Sequence, residues 1–257
     1  MEEHMRHIMK GIPLLGIFFI LVAFTSASRE PVGKITFPLN RVFVIPEGTS
    51  DLKMAYFNMD VFSGDKIETK RESRCEITLT NGDVVRIDEN SLYTLEDIEV
   101  TQETVKASSF LSVGKLWATI RKIFTEDDYV AVKSPTAVIA VRGTIYRVDV
   151  AEDSMTTLRV YDGEVEVKPA AAGIGKLQQS KPERTGPIGP PRDVPGPRDV
   201  AGPRDVSEAQ WIEIVKAQQQ IRISSDGKFE KSDFDLIDDA KSDWVQWNKQ
   251  RDELLNR

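Results

Sequence analysis

Residues 130–167 alternate apolar and polar positions in short runs: Val130–Val132, Val138–Val141, Ile145–Val150, Leu158–Val160 and Val165–Val167. Turn residues bound each run, and a period of two marks half-buried strands, so an all-β domain is predicted. Read as a two-residue type I′ loop, Asp162-Gly163 sets Val160 against Val165 and Leu158 against Val167. Every apolar pair then shares one face, so turn chemistry and burial agree on a hairpin.

Further upstream the same parity argument rejects a two-residue loop at Asn81-Gly82, which would oppose Ile77 to Arg86. A three-residue loop, Asn81-Gly82-Asp83, pairs Leu79 with Val85 and Ile77 with Ile87; a solenoid corner of the same parity is the alternative. Cys75 runs in step with Ile77 and Leu79 and is read as a buried structural thiol. Residues 34–37 and 41–45 are predicted strands, Pro46-Glu47-Gly48 a turn, and residues 54–57 and 61–62 a weaker pair. In residues 92–124, Leu116, Ala118 and Ile120 keep one parity and Trp117 falls on the other. Trp117 is expected to be exposed there, as a cover for the sheet edge or as a ligand platform.

Ser134-Pro135-Thr136-Ala137-Val138 followed by Ala140-Val141-Arg142-Gly143-Thr144 and a strand resembles the signature of the FecR-protein domain. The resemblance extends upstream through Gly64-Asp65-Lys66-Ile67-Glu68-Thr69, Ile77-Thr78-Leu79-Thr80-Asn81-Gly82 and Val113-Gly114-Lys115-Leu116. Downstream it takes in Val160-Tyr161-Asp162-Gly163-Glu164-Val165. It spans roughly residues 60–168. It implies a β-rich, solenoid-like extracytoplasmic module used for interaction and signalling. The motif residues Gly64, Asp65, Gly82, Gly114, Arg142, Gly143, Thr144 and Gly163 are read as structural. Gly143 permits a bend before the next strand, Thr144 makes a local hydrogen bond, and Arg142 pairs with a carboxylate or points at a partner.

Residues 169–206 change character. Three Pro-Arg-Asp-Val repeats begin at Pro191, Pro197 and Pro203. A six-residue period is too short for a core-burying solenoid, so a semi-extended Pro-rich spacer is predicted. Beyond it the spacing turns helical: Ser207 caps a helix carrying Trp211, Ile214, Val215 and Ile221. Ser232 caps a second helix in which Ile237, Ala240, Trp244, Trp247 and Leu254 recur at threes and fours. Trp244 and Trp247 then need a covering surface, and a separate partner is favoured narrowly over the β domain. Deleting residues 207–257 is accordingly expected to leave the β domain's melting temperature unchanged.

Arg6 and Lys10 precede the apolar run Gly11–Phe24, and small residues Thr25-Ser26-Ala27-Ser28 follow. The run is shorter than the roughly 20 residues of a bilayer span, so residues 1–27 read as a signal peptide, with an uncleaved N-terminal anchor as the alternative. A net charge of −7 without a basic run argues against nucleic acid. Only ten residues precede the apolar run, so direct control of a sigma factor, which needs a cytoplasmic domain before the span, is not expected.

Candidate chemistry is thin. The two histidines, His4 and His7, lie in the targeting segment, and Cys75 is the one cysteine. Histidine catalysis, histidine zinc sites and thiolate clusters are therefore excluded from a cleaved chain. Asp233, Asp235, Asp238 and Asp239 lack the spacing of a calcium loop and read as acidic bias in a first helical turn. No catalytic, cofactor-binding or metal-binding residue is assigned.

The expectation is a mainly β protein: a FecR-like β-solenoid or sandwich module at 32–168, the linker at 169–206 and a small α-helical tail at 207–257. It is exported and non-catalytic, and it works through an unidentified envelope protein, with Trp117, Trp244 and Trp247 as the candidate partner surface. The alternative is a cell-wall glycan-binding or glycan-cleaving domain, supported by Trp117 and scattered carboxylates. The membrane is involved only through an uncleaved N-terminal segment.

Overall fold

The structure, a computed structural model, describes residues 29–100, 105–121, 128–170 and 212–255. The predicted signal segment, and nearly all of the predicted linker, lie outside the described residues. The elements in chain order are β1 (Gly33–Leu39), β2 (Val42–Ile45), β3 (Lys53–Met54), β4 (Asp60–Val61), β5 (Lys66–Thr69) and β6 (Arg74–Leu79). Then come β7 (Val84–Ile87), β8 (Leu92–Val100), β9 (Val105–Thr119), β10 (Tyr129–Lys133), β11 (Ala137–Val141) and β12 (Ile145–Val150). β13 (Thr156–Asp162), β14 (Glu164–Pro169), β15 (Glu213–Lys216), β16 (Gln219–Ile223), β17 (Phe229–Asp233), α1 (Leu236–Asp239) and α2 (Asp243–Leu255) complete the chain.

The strands form two layers. Layer A runs β4-β1-β6-β7-β9-β12-β13-β16-β17. Layer B runs β3-β2-β5-β8-β9-β10-β11-β14-β15. All neighbours are antiparallel except β9 and β10. The chain crosses repeatedly from one layer to the other, which gives the sandwich its solenoid-like winding.

β9 belongs to both layers: its first part pairs with β8 and β10, and residues 114–119 pair with β12. The transfer happens at Gly114, whose φ is +101°. A Cβ there would collide with the Ser91 side chain and backbone, so only glycine lets the strand turn from one layer into the other.

One apolar core fills the space between the layers. Ile35, Ile77, Ile87, Leu116, Tyr146, Val148 and Leu158 enter it from layer A. Val44, Ile67, Leu95, Leu111, Ile139 and Val167 enter it from layer B. Cys75 is buried in the same core, where loss of hydration pushes its thiol pKa up. Burial likewise pushes the Tyr93 phenol up to about 12.

Several predicted connections are corrected. Asp162-Gly163 is not a hairpin loop, because β13 lies in layer A beside β12 and β16 while β14 lies in layer B beside β11 and β15. Leu158, Val160, Val165 and Val167 do share an interior, as parity required, but they face one another across the core and not along a ladder. The β6–β7 hairpin has the predicted parity with its register two residues away, pairing Ile77 with Val85. It closes through Leu79 N–H donating to Asp83 O at 2.9 Å.

The predicted first tail helix is a pair of strands. β15 adds to β14 and β16 adds to β13, so Val215, Ile221 and Ile223 extend the core. Their spacing fits a strand pair turning at Gln218 as well as it fits a helix. The open edges of β13 and β14 decide the outcome by accepting backbone hydrogen bonds. The second tail segment is helical but divided. Asp235, not Ser232, caps α1 by accepting from the Ile237 and Asp238 N–H groups, and the chain turns before α2 begins.

Candidate functional site

The outward faces of the layer A strands are not a plain solvated surface. Register places one cross-strand row there: Phe37 opposite Glu76, then Arg86, Trp117, Arg147, Arg159, Gln220 and Ser232. Backbone pairing sets these positions, with the core on the other side of the same strands. Period-two alternation therefore carries three arginines and a tryptophan onto one line.

Helix α2 lies against this row. Trp244, Asn248 and Asp252 stand four residues apart on one face, with Val245 beside them, and all four are buried. Trp117 forms a second apolar cluster with Trp244 and Val245, separate from the interior, with Ile145, Tyr161 and Trp247 packed around it. The Trp117 ring stacks on Tyr161 at 4.4 Å between centroids, and its Nε1–H donates to Asp252 Oδ2 at 3.1 Å.

Charge organises the contact. Arg86 is fully buried; its Nε donates to Glu76 Oε2 and its Nη1 to Asp252 Oδ1, each at 2.7 Å. Asp252 Oδ1 also accepts from the Thr119 hydroxyl at 3.0 Å. Arg251 closes the circuit with two bonds to Glu76, from Nε to Oε2 and from Nη2 to Oε1, both 2.7 Å. Burial alone would raise the Glu76 pKa, but hydrogen bonds from Arg251 and Arg86 outweigh it and hold the carboxyl below its ordinary range.

Two more tail carboxylates repeat the arrangement. Asp239 accepts from Arg147 Nη1 at 3.0 Å and from the Tyr161 hydroxyl at 2.7 Å. Asp243 accepts from Arg74 Nη2 at 2.5 Å, and the Arg74 guanidinium lies over the rings of Trp244 and Trp247. The tail thus meets the sheet through carboxylates on arginines, with indoles between them.

Beside the start of α2 an open cleft of about 460 Å³ is lined by Leu39, Glu72, Ser73, Arg74, Asp88, Glu89, Lys115, Ser242, Asp243 and Trp244. Its cations are engaged: Arg74 Nε and Lys115 Nζ both reach Asp88, at 3.1 and 3.3 Å. Among the described residues no group of three or more His, Cys, Asp or Glu is placed to hold a metal ion.

The sequence-derived partner surface is corrected by this packing. Trp117 does lie on the face opposite the core, but it is 1% exposed because α2 covers it. Trp244 is 2% exposed, and Trp247 is partly buried between Trp244 and Phe37. The three tryptophans gather at one internal contact and offer no open platform.

The motif residues fall at turns and crossings. Gly64, Gly82, Gly114, Gly143 and Gly163 all have positive φ. Asp65 is buried and accepts from the Phe62 and Glu47 N–H groups, at 3.0 and 3.3 Å. The Thr144 hydroxyl has Glu164 O at 3.1 Å and Arg142 O at 3.2 Å as acceptors for its one proton, and the bond to Glu164 ties the β11–β12 crossing to β14. Arg142 itself is exposed. Lys115 pairs with Asp88 and Arg121 lies 3.7 Å from Asp83. Arg86, Glu76, Asn248 and Asp252 carry the helix contact without having been singled out in the sequence. The available signal was the outward parity of Glu76, Arg86, Trp117 and Arg147.

Residues 65–166 match the model of the family described as FecR protein, so the β sandwich contains a FecR domain. Two crystal structures of a "putative anti-sigma factor" from Parabacteroides distasonis ATCC 8503 also align, each at 16% identity and a TM-score of 0.43. Each alignment covers 66% of this chain, and the chain spans 60% of the length of those structures. No curated protein matches the chain.

Proposed function

We propose that this protein is a non-catalytic interaction and signalling module of the cell envelope, exported by residues 1–27 and acting through its FecR domain. The observation that carries the reading is the outer face of layer A. A row of arginines and aromatics is spent there on holding a polypeptide segment, α2, and the carboxylates that meet it are fixed by arginines. Such a surface reads the side chains of a polypeptide segment, here one from the same chain, with the Trp, Tyr and Arg anchors that protein interfaces use. The glycan alternative rested on Trp117 and scattered carboxylates; that indole lies under α2, and Asp239 and Asp252 beside it are engaged by arginines.

A photo-cross-linking residue at exposed Arg142, in the full chain expressed from its own start, tests the proposal. Discrete adducts with an envelope protein, from a chain protected outside the cytoplasmic membrane, are the expected result. A chain confined to the cytoplasm, or one that gives no adduct and co-sediments with cell-wall glycan, would overturn it.

A further inference from the structure

We propose that the arginine row of layer A is a receiving surface for a partner protein's helix, and that α2 is its displaceable internal occupant. The helix that competes for it carries an aromatic residue, then an amide four positions on, then a carboxylate four positions beyond. Trp244, Asn248 and Asp252 set this pattern. The proposal deepens the interaction reading above and rests on it for the existence of a partner.

Three observations support exchange. The row does not need α2 for its construction, since Arg86, Trp117 and Arg147 sit at positions fixed by strand pairing on both sides. The contact joins the indole cluster to buried polar groups: Asn248 and Asp252 are buried on Arg86 beside Trp117, Trp244 and Val245, while Ile237 and Leu254 of the tail remain 79% and 61% exposed. Buried ion pairs contribute specificity and registry more than net stability, because desolvation offsets most of their attraction. Arg86 is also incompletely served, as its buried Nη2 meets no acceptor among the described residues. A partner helix that supplies this acceptor gains over α2. The tether gives α2 an effective concentration on the order of millimolar, which sets the affinity such a partner must exceed.

The test uses the full chain. Amide hydrogen exchange is measured on wild type, and a labelled peptide spanning Lys241 to Leu255 is titrated onto an Asp252→Asn full-length variant, whose own helix is weakened. Exchange in α2 at least about ten-fold faster than in β9 and β12 is expected, as local opening requires. The peptide is expected to bind, and a peptide carrying Asp252→Asn to bind at least about ten-fold more weakly. Protection of α2 equal to that of β9 and β12, with no peptide binding, would overturn the proposal and make α2 a fixed part of the fold. Concentration-dependent dimerisation of wild type with release of α2 would overturn it too, by making the occupant a second copy of the chain. Neither result bears on the envelope adduct at Arg142, and a missing adduct does not bear on peptide binding.

Discussion

Glu76 is the residue at which acidity enters the account. Its carboxyl is held below the ordinary range by Arg251 and Arg86 despite burial. A depressed folded-state pKa means the stabilisation is complete above the ordinary carboxylate value of about 4.5 and is lost as pH falls through the folded value. Wild type is therefore expected to lose melting temperature as pH drops below about 4.5, together with a change in tryptophan fluorescence as α2 leaves Trp117. In Glu76→Gln that portion of the pH dependence should flatten, on a baseline lowered by roughly 3–5 kcal/mol because Arg251 loses its paired carboxylate and buried Arg86 keeps only Asp252. A second residue-scale expectation concerns Gly163, whose φ is +84° and whose added Cβ would stand 2.9 Å from Gly143 O. Gly163→Val should destabilise by more than about 1 kcal/mol in chemical denaturation, through a blocked crossing between layers and not a broken hairpin turn.

Among the elements, α2 shows how a helix contact hides in a sequence. Spacings of three and four in residues 237–254 announced a helix, and α2 is one. Its docking face was misjudged because two of its buried positions, Asn248 and Asp252, are polar, and the pattern was built from apolar ones. Ile237 and Leu254, counted on that face, are exposed. The strands tell the complementary story. Parity identified Leu158, Val160, Val165 and Val167 as one buried set, since a period of two survives whichever strands pair. Which strand lies beside which was not legible, because a turn residue such as Gly163 closes a hairpin or passes the chain to the opposite layer with the same local chemistry. The arginine row was illegible for the same reason: it exists only once Arg86, Trp117, Arg147 and Arg159 are brought side by side from four strands. Trp117→Ala removes an indole enclosed by α2 and Tyr161 and is expected to cost about 3–5 kcal/mol, read by denaturant unfolding.

At the scale of the whole molecule, the C-terminal segment divides into a part that completes the sandwich and a part that covers it. Removing residues 236–257 leaves both layers and their shared core intact. That truncation is expected to unfold cooperatively at a lower temperature, with Trp117 newly accessible to a fluorescence quencher. Removing residues 213–257 also strips β15 and β16 and takes Val215, Ile221 and Ile223 out of the core. At about 1.5–3 kcal/mol for each such side chain, this loss is comparable to the whole stability of a typical domain. The second truncation should be largely unfolded, contrary to the unchanged melting temperature expected from sequence. The contact between covering helix and sheet is held by Arg86 and Asp252, 2.7 Å apart across 166 positions of chain. A double-mutant cycle in the full chain, using Arg86→Gln, Asp252→Asn and the pair, measures it most directly. The account predicts a coupling of about 1.5–3 kcal/mol in denaturant unfolding. Additivity to within about 0.3–0.5 kcal/mol would contradict it.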